Sequence, residues 1–194
     1  MESLMRHYAY CGRMLALAAC AVFLSGQAAA QQDVTAKMQL KIDTYKKKIE
    51  QWAANPDLAK GVKEGIAKGP TPGMANAKWR ELKEQDPLVE SFVKNPVGQL
   101  VTRWMNEDPK GINKIVVSGD KSQRIGFTSM PAIYIGKGRP NFDTSFEQDK
   151  VWQQAQVQPD PSTQIPTVQI SAPIKDGGKV IGVLLVSLTA AALQ

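Results

Sequence analysis

At Ile112 the hydrophobic period of the chain changes, and that change limits the available folds more than any other feature. Upstream, Val34, Met38, Ile42, Tyr45, Ile49 and Trp52 fall four, four, three, four and three residues apart, which is the stripe of an amphipathic helix. Lys37, Lys41, Lys46, Lys47 and Lys48 mostly decorate the rest of its surface. Asn55-Pro56 ends it, because proline disfavours helix in the residue before it. Residues 57–68 read as a short helix weakened by Gly61 and Gly65, and residues 75–85 as another, beyond the breaker Gly69-Pro70-Thr71-Pro72-Gly73. Asp86-Pro87 pairs an N-cap with a first-turn proline and opens a segment to about Lys94. Asn95-Pro96 restarts the helix, with Val97, Leu100, Val101 and Trp104 on one face. Trp52, Trp79 and Trp104 are expected to be core anchors.

Downstream the pattern belongs to strands. Residues 112–118 are β-branched, 119–123 form a polar loop and 124–129 resume the run, a hairpin signature. Residues 132–136 read as a third strand. A long connection follows, carrying Gly138, Pro140, Pro159 and Pro161, with helical character over 144–155 and Phe146, Val151, Trp152 and Ala155 as its inward residues. Residues 166–174 and 179–188 close the chain as a hairpin over Asp176-Gly177-Gly178, and the apolar run from Val180 to Leu188 predicts a central strand covered on both faces. Helices grouped before strands argue an α+β domain with a mainly antiparallel sheet. A length of 194 residues fits one domain, with 31–109 as its helical part and 110–194 as its sheet part.

Residues 1–30 look like a signal peptide. Arg6 and Arg13 precede an apolar run from Met14 to Leu24, and Ala28-Ala29-Ala30 offers small residues before Gln31. The run is shorter than the roughly 20 apolar residues of a membrane span. Leu17-Ala18-Ala19-Cys20 also resembles a lipobox, which would make Cys20 the anchor of a lipoprotein; the apolar run continuing past Cys20 argues for cleavage after Ala30. Either route predicts a periplasmic or secreted domain.

That leader holds Cys11, Cys20 and His7, the only cysteines and the only histidine. A chain starting at Gln31 therefore has no disulfide framework. It also has no thiolate nucleophile, no Ser-His-Asp triad, and no metal or haem site built on imidazole or sulfur. Carboxylate chemistry, a Ser-Lys pair or no chemistry at all remain. The net charge, +6 overall and about +5 without the leader, favours anionic lipid or acidic partners. No aromatic-basic stripe accompanies it, so no nucleic-acid partner is expected.

Three stretches resemble the Cache family of extracytoplasmic sensor modules, relatives of the PAS fold. "INKIVVSGDKSQRIGFTS" resembles the first hairpin of the family sheet, "TSFEQDKVWQQA" the acidic, Trp-containing helix after its third strand, and "VQISAPIKDGGKVIGVLLVSL" the closing hairpin. The stripe from Asp33 to Trp52 stands where the family has its long leading helix. The resemblance implies a PAS-like domain: a long N-terminal helix and further helices packed on a five-stranded antiparallel sheet of order 2-1-5-4-3. It also implies a small-molecule pocket between the sheet and the 137–165 connection, no catalytic residues, no metal and no cofactor. The implied ligands are amino acids, carboxylates or amines. Two departures stand out. Cache modules usually lie between two transmembrane helices, whereas this chain ends at Gln194 just after its last strand, which points to a stand-alone secreted member. The family's amino-acid motif, a Tyr, Arg and Trp run ending on an acidic residue, is present only as scattered residues.

Those residues are the site candidates. Asp143, Glu147 and Asp149 would suit an amine or a cation, or simply complement a helix N-terminus. Arg139 would hold a carboxylate by a bidentate fork, or stand solvated in its loop. Tyr134 and Trp152 would wall the pocket or belong to the core. The expected function is a non-catalytic ligand-binding module; the alternative is an accessory protein docking a membrane sensor, transporter or envelope partner without a small ligand. The stripe of residues 33–52 offers a homodimer seam.

Overall fold

A computed structural model describes residues 32–194. The expected signal peptide over residues 1–30, its expected cleavage and the Cys20 alternative lie outside the described residues.

The chain runs β1 (Gln32–Asp33), α1 (Ala36–Ala53), α2 (Pro56–Lys68), α3 (Asn76–Trp79), α4 (Pro87–Lys94), α5 (Pro96–Asn106), β2 (Ile112–Ser118), β3 (Arg124–Phe127), α6 (Pro140–Glu147), β4 (Trp152–Gln153), β5 (Gln156–Pro159), β6 (Pro166–Asp176), β7 (Lys179–Thr189) and α7 (Ala190–Leu193). Three Asx-Pro steps start helices: Asn55 accepts from the Asp57 and Leu58 amides, Asp86 from Leu88 and Asn95 from Gly98, each with proline at the first helical position. Asn95 also donates to the Ile125 carbonyl at 2.7 Å, so one side chain caps α5 and ties it to β3. Gly61 and Gly65 do not break α2. A Cβ on either would lie 2.4 Å from Val97 or 2.6 Å from Ile125, and the missing side chains let α2 approach α5 and β3.

The sheet is antiparallel, in the order β1-β5-β6-β7-β2-β3 with β4 also paired to β6. β6 and β7 pair from Thr167↔Thr189 to Asp176↔Lys179, closing on Gly177 and Gly178 with φ of 55° and 82°, the left-handed pair that a two-residue hairpin turn needs. The fold class is the α+β class expected, and the central order β3-β2-β7-β6 reproduces the implied 2-1-5-4. Its last position differs. Residues 132–136 form no strand, only the bridge Gln123↔Ile135, and β4 and β5 lie beside β6 instead. The reason is a contact remote in the chain: the Tyr134 and Ile135 amides both donate to Asn76 Oδ1, at 2.9 and 2.8 Å, and are therefore taken from any strand partner.

Two helices also differ from expectation. The segment 75–85 is helical only at α3. The helix expected over 144–155 lies at 140–147, because Pro140 sets its start and Asp149 takes a φ of +54° soon after its end. Trp152 is therefore in a strand, half-buried, and Ala155 is exposed.

Strand alternation sorts the sheet into two faces. The back face presents Ile115, Val117, Val168, Ile170, Ala172, Ile174, Leu184, Val186 and Leu188 to Met38, Ile42, Ile49 and Trp52 of α1 and to α2 and α5. Trp52 stacks on Trp104 at 5.1 Å. The α1 stripe is thus buried in its own domain, and Leu40 is the one large apolar residue that helix exposes; a homodimer seam through the stripe is not available. A second cluster joins Trp79, Val89, Val116, Phe127 and Tyr134.

Candidate functional site

The front face is different in kind. Lys114 and Ser118 of β2, Arg124 of β3, Ser171 of β6 and Ser187 of β7 are buried there, with Gln169 of β6 half-buried among them. Above them the connection from Pro131 to Pro161 leaves a cavity of about 150 Å³. Its floor includes Lys114, Val116, Ser118, Arg124, Gln169, Val183 and Leu185; its roof includes Ile133, Gly136, Arg139, Asn141, Phe142 and Asp160.

Besides the exposed Arg139, two buried cations line this cavity, with opposite arrangements. Lys114 Nζ donates to Asp160 Oδ1 at 2.6 Å and to Ser162 Oγ at 2.5 Å. Asp160 Oδ1 also accepts from the Ser162 amide and hydroxyl and the Thr163 amide, and Oδ2 from Ser187 Oγ at 3.3 Å. Burial works to raise the Asp160 carboxyl, but the Lys114 and Ser162 donors outweigh it and hold the group below its usual range. Burial draws the Lys114 ammonium down, against the pull of Asp160. The pair is charged, paired and closed.

Arg124 is only 7% exposed. Its Nε donates to the Ile133 carbonyl at 3.0 Å and its Nη1 to Ser118 Oγ at 2.6 Å. Among the described residues no carboxylate pairs with it. Burial lowers its pKa to about 10, with Tyr134 opposing and Arg139 adding to the shift, so the guanidinium stays charged at neutral pH. A hydrogen-bonded guanidinium with an unused edge is suited to a carboxylate fork.

A second, outer cavity of about 380 Å³ adjoins the first, and Arg139, Asn141, Pro161 and Gln169 line both. Trp152, Gln154, Gln156 and Gln158 complete much of its wall. Asn141 Nδ2 donates to Gln169 Oε1 at 3.1 Å at the boundary.

The sequence candidates scatter. Arg139 lines both cavities, and Trp152 lines the outer one. Tyr134 is buried in the second core cluster, and its hydroxyl accepts from the Thr71 amide at 2.8 Å. Asp143 accepts from the Gly138 amide at 3.1 Å, within its own helix start. Asp149 pairs with Lys175 at 2.7 Å, and Glu147 is exposed. None of these three carboxylates lines either cavity. Sequence reasoning passed over Arg124, Lys114, Ser118, Asn141, Asp160 and Gln169. A signal for the strand members existed: polar residues that share one strand face inside otherwise β-branched runs, as in Lys114 and Ser118, and Gln169 and Ser171.

No family model and no curated protein matches the chain. Among solved structures, it is similar to the sensory domain of the chemoreceptor Tlp3 of Campylobacter jejuni with isoleucine bound, at 13% identity and a TM-score of 0.47, over 81% of this chain and 57% of that one. It is similar to the sensor domain of the histidine kinase DctB of Vibrio cholerae, at 10% identity and 0.43, over 81% and 59%. A third is the ligand-binding domain of the amino-acid chemoreceptor PctC of Pseudomonas aeruginosa in complex with GABA, at 14% and 0.37, over 78% and 62%. The chain thus spans less than two thirds of each of these structures.

Proposed function

We propose that this chain is a non-catalytic, extracytoplasmic, sensor-type binding module that takes a small carboxylate in the cavity between the sheet and the 131–161 connection. The observation that carries the reading is Arg124, a buried cation facing a cavity with no carboxylate partner among the described residues. Taking a charge out of water costs several kcal/mol unless an opposite charge offsets it, so an entering carboxylate gains a partner already in place. Amines are disfavoured, because among the described residues Asp160 is the only carboxylate lining the cavity and its oxygens already accept from Lys114, Ser162, Thr163 and Ser187. Docking of a membrane partner through the leading helix has less support, since α1 exposes one large apolar residue, Leu40.

Titration calorimetry of the chain from Gln31 with acetate, propionate, ethylamine and calcium tests this. Saturable binding of a carboxylate, lost in Arg124→Met while the fold persists by circular dichroism, supports it. Binding of the amine or the cation with no carboxylate response overturns it.

A further inference from the structure

The inner cavity alone suits a very small anion, yet it does not end there. A dry cavity of about 150 Å³ holds roughly one benzene, or about six non-hydrogen atoms. The outer cavity, about 380 Å³, scales on the same ratio to about 15 more. Among the described residues, the second space is lined without any carboxylate and, apart from Arg139, without any cation. Apart from Arg139, its polar side chains are amides: Asn141, Gln154, Gln156, Gln158 and Gln169, with Trp152 beside them; Gln154 and Gln156 already donate, to the Gln156 and Thr167 carbonyls and to Asp33, and offer a ligand their acceptor oxygens. An amide side chain presents both a donor and an acceptor, the same pair that a peptide group presents.

We infer that the two cavities form one elongated site for an N-acylated amino acid or short N-blocked peptide, with its terminal carboxylate at Arg124 and its amide groups along the glutamine-lined outer cavity. This rests on the carboxylate reading of the inner cavity and extends it outward. The N-blocked form follows from charge. A free amino acid or an unblocked peptide carries an ammonium, and neither cavity offers it an unengaged carboxylate. The Asn141–Gln169 hydrogen bond stands at the boundary, where a ligand amide can exchange into it at little cost. Trp152 supplies an apolar surface for a ligand side chain.

Calorimetry of the chain from Gln31 separates this inference from the reading beneath it. The probes are acetate, free alanine, alanyl-alanine, N-acetyl-alanyl-alanine, the C-terminal amide of that blocked dipeptide, and galacturonate. The blocked dipeptide is expected to bind at least 10-fold tighter than acetate, alanine or alanyl-alanine, and its C-terminal amide not to bind. Trp152→Ala and Gln158→Ala, which line the outer cavity alone, are expected to weaken the blocked dipeptide about 10-fold and leave acetate unchanged. Arg124→Met is expected to abolish both. Equal affinity for acetate and blocked dipeptide, with no effect of the outer substitutions, overturns the inference and leaves the carboxylate site standing. Tighter binding of galacturonate, or of alanyl-alanine, also overturns it. No binding of any carboxylate overturns both.

Discussion

The two faces of the sheet are built from the same strands and obey opposite rules. On the back, aliphatic residues of β2, β6 and β7 meet α1, α2 and α5, and the side chains are buried apolar groups. On the front, Lys114, Ser118, Arg124 and Ser171 are equally buried, but polar groups are interspersed with Val116, Val183 and Leu185, each of the four has a hydrogen-bond partner, and the first three line an open cavity. Burial is therefore not a single property in this protein. On one face it stabilises the fold through apolar area; on the other it holds charge away from water and leaves one cation without a carboxylate partner among the described residues.

Four substitutions sharpen or break that contrast. The largest effect is expected on the front face. Asp160→Ala leaves Lys114 buried without its partner, and such losses cost about 3–5 kcal/mol; urea unfolding would read it, and a loss below about 1 kcal/mol would mean that Lys114 finds water. On the back face, Leu184→Ala removes a fully buried side chain and is expected to cost about 3 kcal/mol, with carboxylate affinity unchanged. Asn95→Ala is next, at about 1 kcal/mol for a lost helix cap, somewhat more because its bond to the Ile125 carbonyl goes as well. Arg124→Met is the informative minimum. Replacing a buried cation that has no carboxylate partner by an apolar side chain is expected to change stability by less than about 1 kcal/mol or to raise it, while abolishing ligand binding. A large loss of stability there would make Arg124 a structural residue.

Acid separates the same regions. The Asp160 carboxyl sits below its usual range in the folded protein. It therefore contributes stability that is complete above the unfolded value, about 3.9, and is lost as the pH falls through the folded value. Asp160→Asn is expected to lower stability at pH 7 and to flatten the decline below about pH 4, measured by urea midpoints across pH.

The sequence carried the back face almost whole. The stripe of α1 lies where its spacing puts it, the Asx-Pro steps start α2, α4 and α5, and the closing hairpin turns on its two glycines. These are local or periodic properties, and a helix stripe states its own burial. The front face was legible only in part. Arg139 and Trp152 reach cavities, while Asp143 and Asp149 are taken by a loop amide and by Lys175. Residue 124 looked like the start of a strand because nothing near it in sequence says that Ser118 and the Ile133 carbonyl will hold it.

Period, capping residues and turn glycines thus determined by themselves the helix-then-strand order, the antiparallel hairpins and the aliphatic face that drives collapse, because each acts over a few residues. Only the tertiary structure decided that Asn76 would take the Tyr134 and Ile135 amides and leave that segment out of the sheet, giving the position beside β6 to residues 152–159. It alone decided that Lys114 would meet Asp160, 46 positions away, and that Arg124 would meet no carboxylate among the described residues. Charges buried in one cavity are paired, or left unpaired, by groups remote in the chain, and no local pattern records which.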